Sequence, residues 1–152
     1  MNIVEIVDDL EKKNIARYIL EALPEWFEIE EGRERYICET VDQIFLCAQK
    51  EESSIGFLCL KQTGKDTVEL AVMGVLKEYH RRGVGRALFE CAKNIASDRG
   101  YSFVQVKTVQ MGKYESYDRT NRFYLSLGFK EFEVLSTLWD ESNPCQVYVM
   151  SL

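Results

Sequence analysis

The chain of 152 residues has one histidine and two prolines, no pair of cysteines spaced C-x-x-C, and no long apolar run. Each shortage excludes something. A single histidine, His80, speaks against a zinc site, which draws on several Cys and His ligands, so no metal is expected. It also leaves one partner for a Cys/His nucleophile pair, and that partner sits in a loop with another use. The five cysteines, Cys38, Cys47, Cys59, Cys91 and Cys145, are odd in number and widely spaced. Most fall in apolar runs and read as buried free thiols of a cytoplasmic protein rather than a disulfide framework. A membrane helix needs about 20 apolar residues, and nothing here approaches that, so no membrane partner is expected. Positive charge is short as well. With 19 Lys and Arg against 25 Asp and Glu, the net charge of −6 speaks against nucleic acid as the main partner. An acidic surface favours a cationic or amine-bearing small substrate, although acidity also serves solubility alone.

The N-terminal stretch Met1–Asp9 is acidic and strand-like, unlike a signal peptide. At 46% hydrophobic and 29% charged residues, the sequence reads as one globular domain over residues 1–152. Asn2–Val7 predicts a strand, and Asp8 or Asp9 can cap a helix through about Leu23, which Pro24 breaks. A second helix is predicted over Glu25–Glu39, with Gly32 as a point where it can be interrupted. Gln43–Gln49 and Ser54–Lys61 read as a hairpin, followed by a strand Val68–Leu76. A helix over Gly83–Arg99 ends at Gly100, and Phe103–Val109 is a strand. Gln110–Thr120 reads as a polar loop, and a helix follows near Arg119–Leu127. Two strands, Phe129–Leu138 and Gln146–Ser151, close the chain.

What is present is concentrated in Glu78–Leu88. An apolar strand leads into Tyr79–Gly85, and Ala87, Leu88, Cys91, Ala92 and Ile95 then recur at helical spacing. Gly83 and Gly85 allow a ligand close to the backbone, and the first N–H groups of a helix have no intrahelical acceptor. Those donors sit at the positive end of the helix dipole, and Arg81, Arg82 and Arg86 add charge. A phosphate or pyrophosphate is the natural guest. Leu88 stands where a dinucleotide fingerprint needs its third small residue, and no P-loop pattern is present.

His80-Arg81-Arg82-Gly83-Val84-Gly85 resembles motif A of the GNAT (Gcn5-related N-acetyltransferase) superfamily, Q/R-x-x-G-x-G/A, with His80 in place of Gln or Arg. Asn121-Arg-Phe-Tyr124 followed by Leu127-Gly128-Phe129 resembles that family's N-x-x-F/A-Y-x-x-x-G-F signature. The resemblance implies an α/β (α+β) GNAT fold, with a mixed, mostly antiparallel sheet splayed between strands 4 and 5 and about four flanking helices. It implies a single GNAT domain over 1–152 and acetyl-CoA as cosubstrate. The cofactor would lie on His80, Arg81, Arg82, Gly83, Val84, Gly85, Arg86 and Ala87. Its pantetheine arm would pair with the free backbone of Met73, Gly74 and Val75, with Asn121 and Tyr124 beside it. Gly74 is also a residue that can mark a bulge.

The implied reaction is transfer of an acetyl group to a primary amine of a small molecule or peptide, direct and in a ternary complex. Such a transfer needs a neutral amine, a stabilised oxyanion and a proton for the thiolate. Tyr124 is the candidate general acid. Glu69 is the candidate base, expected on the same strand face as Ala71 and Met73 by the period of two; a solvated or structural charge is the alternative. Glu25, Trp26, Phe27 and Trp139 are candidates for the acceptor pocket, or else parts of a solvated helix face and a wide turn. A non-catalytic acyl-CoA sensor is the alternative function. The chain is expected to act as a monomer or homodimer.

Overall fold

Seven strands form one sheet in the order β1-β2-β3-β4-β5-β7-β6, in a computed structural model that describes residues 1–152. The strands are β1 Asn2–Ile6, β2 Ile44–Lys50, β3 Ser53–Gln62, β4 Thr67–Val75, β5 Phe103–Val109, β6 Lys130–Asp140 and β7 Asn143–Ser151. Five helices accompany them: α1 Asp9–Glu21, α2 Pro24–Phe27, α3 Glu30–Glu39, α4 Val84–Asp98 and α5 Glu115–Leu127. No helix is long and apolar enough to cross a membrane.

All strand pairs are antiparallel except β4 with β5. That parallel pairing holds only at Thr67↔Phe103, Val68↔Val104 and Glu69↔Gln105. Beyond it β4 stays on β3 as far as Val75, and β5 stays on β7 as far as Val109. The sheet therefore splays between its fourth and fifth strands, as the resemblance implies. Leu70–Val75 has no strand on its β5 side.

Apolar side chains divide between the two sheet faces. One core gathers Leu88, Phe89 and Ala92 of α4, Tyr124 and Leu127 of α5, and Leu58, Leu70, Val104 and Tyr148 from the sheet. The other packs Ile15, Ile19 and Leu20 of α1 and Ile37 of α3 against Phe45, Phe57, Cys59 and Val72. All five thiols are free; Cys47, Cys59 and Cys145 are buried, and Cys38 is exposed.

The placement of Leu70 and Val72 in different cores has one cause. Cys59 pairs with Val72 and Leu60 with Leu70, so Ala71 is an extra residue in β4. This bulge reverses the alternation of the strand. It lies three residues before Gly74, where the sequence suggested one. Gly74 instead admits α1: a Cβ there would stand 3.0 Å from both Ile19 and Leu23.

Three element boundaries also differ from expectation. The helix predicted over Glu25–Glu39 is broken at Glu28–Ile29 rather than at Gly32, which lies within α3. Pro24 starts the single turn α2, as suits a residue with fixed φ and no N–H at a first helical position. Trp26 ties that turn to α5, its Nε1–H donating to Ser116 O at 3.2 Å and Thr120 Oγ1 at 3.1 Å. Second, α5 starts at Glu115, inside the predicted loop. Tyr117 Oη donates to Trp26 O at 3.1 Å, so a first turn of weak apolar character is held from outside. Third, β6 and β7 extend to a two-residue turn at Glu141 and Ser142 in place of a long loop. Their register slips between Leu135↔Cys145 and Asp140↔Asn143, so Ser136–Trp139 bulges opposite Pro144, which has no N–H for a ladder bond.

Candidate active site

The splay opens a cleft of about 1120 Å³ whose walls come from β4, β5, the α4 N-terminus, α2, α3, α5 and the β6–β7 turn. At one end stands the loop between β4 and α4. Arg81 has φ +61° and Gly83 has φ +81°, both left-handed, and they turn the chain sharply into α4. Ala87 N–H returns to Gly83 O at 3.0 Å, but the six backbone N–H groups of Arg81–Arg86 make no well-formed hydrogen bond within the protein. Successive unpaired amides at a helix N-terminus form an anion cradle. A Cβ on Gly83 would meet nothing within 4 Å, so the protein leaves this surface open. A Cβ on Gly85 would lie 3.0 Å from Phe123 Cζ of α5, so Gly85 is needed for helix packing as well as for ligand approach.

Of the residues expected to hold a cofactor, Met73, Gly74, Val75, His80, Arg81, Gly83, Val84, Gly85, Arg86 and Tyr124 line the cleft. Arg82, Ala87 and Asn121 do not. The Arg82 guanidinium lies 5.8 Å over the Tyr79 ring. Ala87 is the first residue of α4 whose amide is used inside the protein, and it is half-buried beyond the cradle. Asn121 is fully buried and all its bonds are internal. Its Nδ2 donates to Val109 O at 2.8 Å and Tyr117 O at 2.7 Å, and its Oδ1 accepts from Tyr148 Oη at 2.6 Å. It ties α5 to β5 and β7. The His80 Nε2 lies 2.6 Å from Val75 O, at the end of the unpaired β4 edge, and the ring meets Trp26 edge-on at 5.9 Å.

Tyr124 lies deep in the splay, only 6% exposed, and its hydroxyl makes no hydrogen bond within the protein. Burial drives its pKa well above the ordinary tyrosine value, with Tyr36 and Tyr117 adding smaller effects in the same direction. The phenol therefore keeps its proton. Tyr36 and Tyr117 line the same cleft and are raised chiefly by burial as well.

Glu69 departs from expectation. The bulge at Ala71 separates it from the face of Met73, which packs toward the α4 side. Glu69 does not line the cleft. Its Oε1 accepts from Lys107 Nζ at 2.8 Å, and Lys107 is the partner that reaches the wall. The sequence offered no sign of this pair, since 38 residues separate its members.

Glu25, Trp26, Phe27 and Trp139 all line the cleft too, with Trp26 beside His80 of the loop. Glu25 is ion-paired with Lys77, which holds its carboxyl below the usual range. Phe27 meets Tyr36 edge-on at 5.8 Å, and Trp139 reaches the mouth from the β6 bulge. Arg33, Tyr36, Tyr114 and Tyr117 stand beside them and were not singled out in the sequence. The predicted polar loop 110–120 signalled Tyr114 and Tyr117 by its tyrosines, while Arg33 and Tyr36 carried no signal beyond a place in the predicted second helix.

Comparison with known proteins gives a consistent result. The sequence model of the acetyltransferase (GNAT) domain matches residues 41–131. An uncharacterized N-acetyltransferase of Chlorobaculum tepidum is 28% identical over 120 residues, which cover 77% of this chain and 64% of the relative. The match thus spans less than two thirds of that protein's length. Among solved structures, a protein of Desulfovibrio desulfuricans assigned to the GNAT family of acetyltransferases superposes with TM-score 0.86 at 19% identity, over 99% of this chain and 98% of the other. A GNAT acetyltransferase of Elizabethkingia anophelis with acetyl-CoA bound gives TM-score 0.77 at 15% identity, over 99% and 97% of the two chains. An aminoglycoside 6'-N-acetyltransferase complexed with coenzyme A gives TM-score 0.78 at 19% identity, over 99% and 97%. At these identities the structural likeness is one of fold.

Proposed function

This chain belongs to the GNAT acetyltransferase family, and we propose that it transfers the acetyl group of acetyl-CoA to a primary amine of a small molecule or peptide, directly in a ternary complex. One observation carries the reading. The unpaired amides Arg81–Arg86, the unpaired β4 edge and the protonated Tyr124 hydroxyl all open into one cleft. That is a pyrophosphate cradle, a strand edge for the pantetheine amides and an acid, in the order a long thioester cosubstrate requires. The bound cosubstrate supplies an activated acetyl group.

The amides of Arg81–Arg86 bind the pyrophosphate, with Arg81 and Arg86 adding charge at the same wall. The β4 edge from Leu70 to Val75 offers backbone donors and acceptors to the pantetheine arm, while Met73 and Phe123 form an apolar wall. Tyr124 holds a proton for the departing sulfur, and burial keeps the phenol protonated at neutral pH until the thiolate takes that proton, which solvent then restores. Glu69, bound by Lys107 outside the cleft lining, is not assigned the deprotonation of the amine. That proton leaves to solvent through the open mouth.

Thiol release from acetyl-CoA, measured with the purified protein and a panel of primary amines, tests the reading. Release that depends on an amine is expected. Tight coenzyme A binding without release on any amine would overturn transfer and favour an acyl-CoA sensor.

A further inference from the structure

This cleft has an electrostatic character opposite to that of the chain. The protein carries a net charge of −6, yet the cleft is lined by Arg33, Arg81, Arg86, Lys107, Arg119 and Arg122 against three carboxylates, Glu25, Glu28 and Asp140. Two of the three are engaged. Glu25 is paired with Lys77. Asp140 accepts from Ser142 N at 2.9 Å and, through both oxygens, from Asn143 Nδ2 at 3.0 Å. Only Glu25 is neutralised by a cation, so Glu28 and Asp140 remain as the negative charges of the lining, outnumbered by its cations.

Among the cations, Lys107 is paired with Glu69, Arg119 lies 5.8 Å over Trp26, Arg81 and Arg86 belong to the cradle, and all four lining arginines other than Arg33, Arg122 included, are exposed to solvent. Arg33 is different. It sits in the first turns of α3, half-buried, with no carboxylate within ion-pair distance. Its one hydrogen bond is from Nη1 to Phe27 O at 3.2 Å. Its Nε is shielded from water with no partner, and Nη2 has no acceptor in the protein. A guanidinium has five N–H donors and retains its charge in proteins, so partial burial with one bond is unfavourable until an anion completes it.

The adjoining residue is a second, independent sign. Gly32 lies in the first turn of α3. It lines the cleft, and a Cβ there would meet nothing within 4 Å. The helix is thus bare beside Arg33. Around them stand the edge-on pair Phe27–Tyr36 at 5.8 Å and the pair Tyr114–Tyr117 at 6.0 Å, all four in the cleft wall.

We infer that the acceptor is an amino carboxylate with an aromatic body, and that Arg33 receives its carboxylate in the space beside Gly32 while the aromatic residues hold the body. Planar guanidinium and carboxylate groups match in shape and form charge-assisted hydrogen bonds. This rests on the acyl-transfer reading of the same cleft and specifies the acceptor class, which that reading leaves open.

Three matched amines test it: phenylalanine, phenylalaninamide and phenethylamine, with spermidine as a polycation. Thiol release is compared as kcat/KM corrected for the fraction of neutral amine, because the three amines differ in pKa. Phenylalanine should exceed its amide about tenfold or more, the scale of a hydrogen bond to a charged group. Arg33→Gln should bring that ratio to about one with acetyl-CoA affinity retained, and Arg33→Lys should keep part of it. Equal use of phenylalanine and its amide, a preference for spermidine, or an Arg33→Gln protein that keeps the wild-type ratio would overturn the inference. A calorimetric titration of the coenzyme A-saturated protein with the same compounds separates the two readings. Absence of thiol release from every amine would end the transfer reading. Selective binding of phenylalanine, lost in Arg33→Gln, would still sustain Arg33 as a carboxylate site, and no selectivity in that titration would end it.

Discussion

Tyr124 and Glu69 show how a neighbourhood changes what an ionisable residue can do. Tyr124 is sealed against Phe129 and Tyr148 with its hydroxyl unpaired, so the neutral phenol is favoured and the proton is retained. Tyr124→Phe should leave acetyl-CoA affinity near wild type in calorimetry and lower kcat about 100- to 10,000-fold, the usual worth of a general acid. The wild-type rate should climb with pH as the amine loses its proton. No falling limb from Tyr124 should appear below about pH 10, the ordinary tyrosine value. An unchanged kcat in the variant, with chemistry rate-limiting, would assign the proton to another group. Glu69 is the reverse case. With its carboxylate mostly buried against Lys107, Glu69→Gln should cost stability of about 1–2 kcal/mol in urea unfolding. The pH–rate profile should keep its shape, whereas a base would change it.

At the scale of elements, the α4 N-terminus carries both a conformational and a packing demand, and its two glycines meet one each. Gly83→Ala meets no neighbour but must hold φ +81°, a left-handed conformation that costs a residue with a Cβ about 1–2 kcal/mol. Gly85→Ala sets a Cβ 3.0 Å from the tip of the Phe123 ring, which must give by a few tenths of an ångström. Thermal unfolding should show a loss for Gly83→Ala, and only Gly85→Ala should perturb aromatic signals of α5. The short helix α2 depends on α5 in turn. Trp26→Phe keeps an aromatic ring but abandons the bonds to Ser116 and Thr120, at about 1 kcal/mol. With α2 loosened over the acceptor end, KM for the amine should rise while acetyl-CoA affinity holds.

Across the whole molecule, buried phenols couple stability to alkaline pH. Tyr117, Tyr124 and Tyr148 are all raised, in each case chiefly by burial, and the Cys145 thiol is pushed up to about 11. The folded protein thus binds protons that the unfolded chain releases first. The contribution of each phenol is complete below the unfolded value of about 10 and declines as pH rises toward the folded value. Urea unfolding between about pH 8 and pH 11 should show stability starting to fall above about pH 9, where unfolded thiols ionise, and falling more steeply above about pH 10, with a shallower fall there in Tyr124→Phe. A flat profile would mean that the phenols reach water in the folded state.

Local patterns determined much of this protein from the sequence alone. Apolar alternation and helical spacing gave the strands, α1 and α4, because each depends on neighbours within a few residues. Gly83, Gly85 and the arginines marked the cradle, because a left-handed turn and free amides at a helix start need only contiguous residues. Long-range geometry was decided by the tertiary structure. The extra residue Ala71 has no local signature, and it turned Glu69 away from Met73 and toward Lys107 on a distant strand. Asn121 sits in a signature associated with the cofactor, but the arrival of β7 fixes it as a buried tie between Val109 and Tyr148. The first turn of α5 is too polar to predict and forms because Trp26, some 90 residues earlier, docks on it. Arg33 reads in the chain as one charge of an amphipathic helix. Only the splay of β4 from β5, with α3 folded over it, sets that charge in a cleft wall with no carboxylate to meet it.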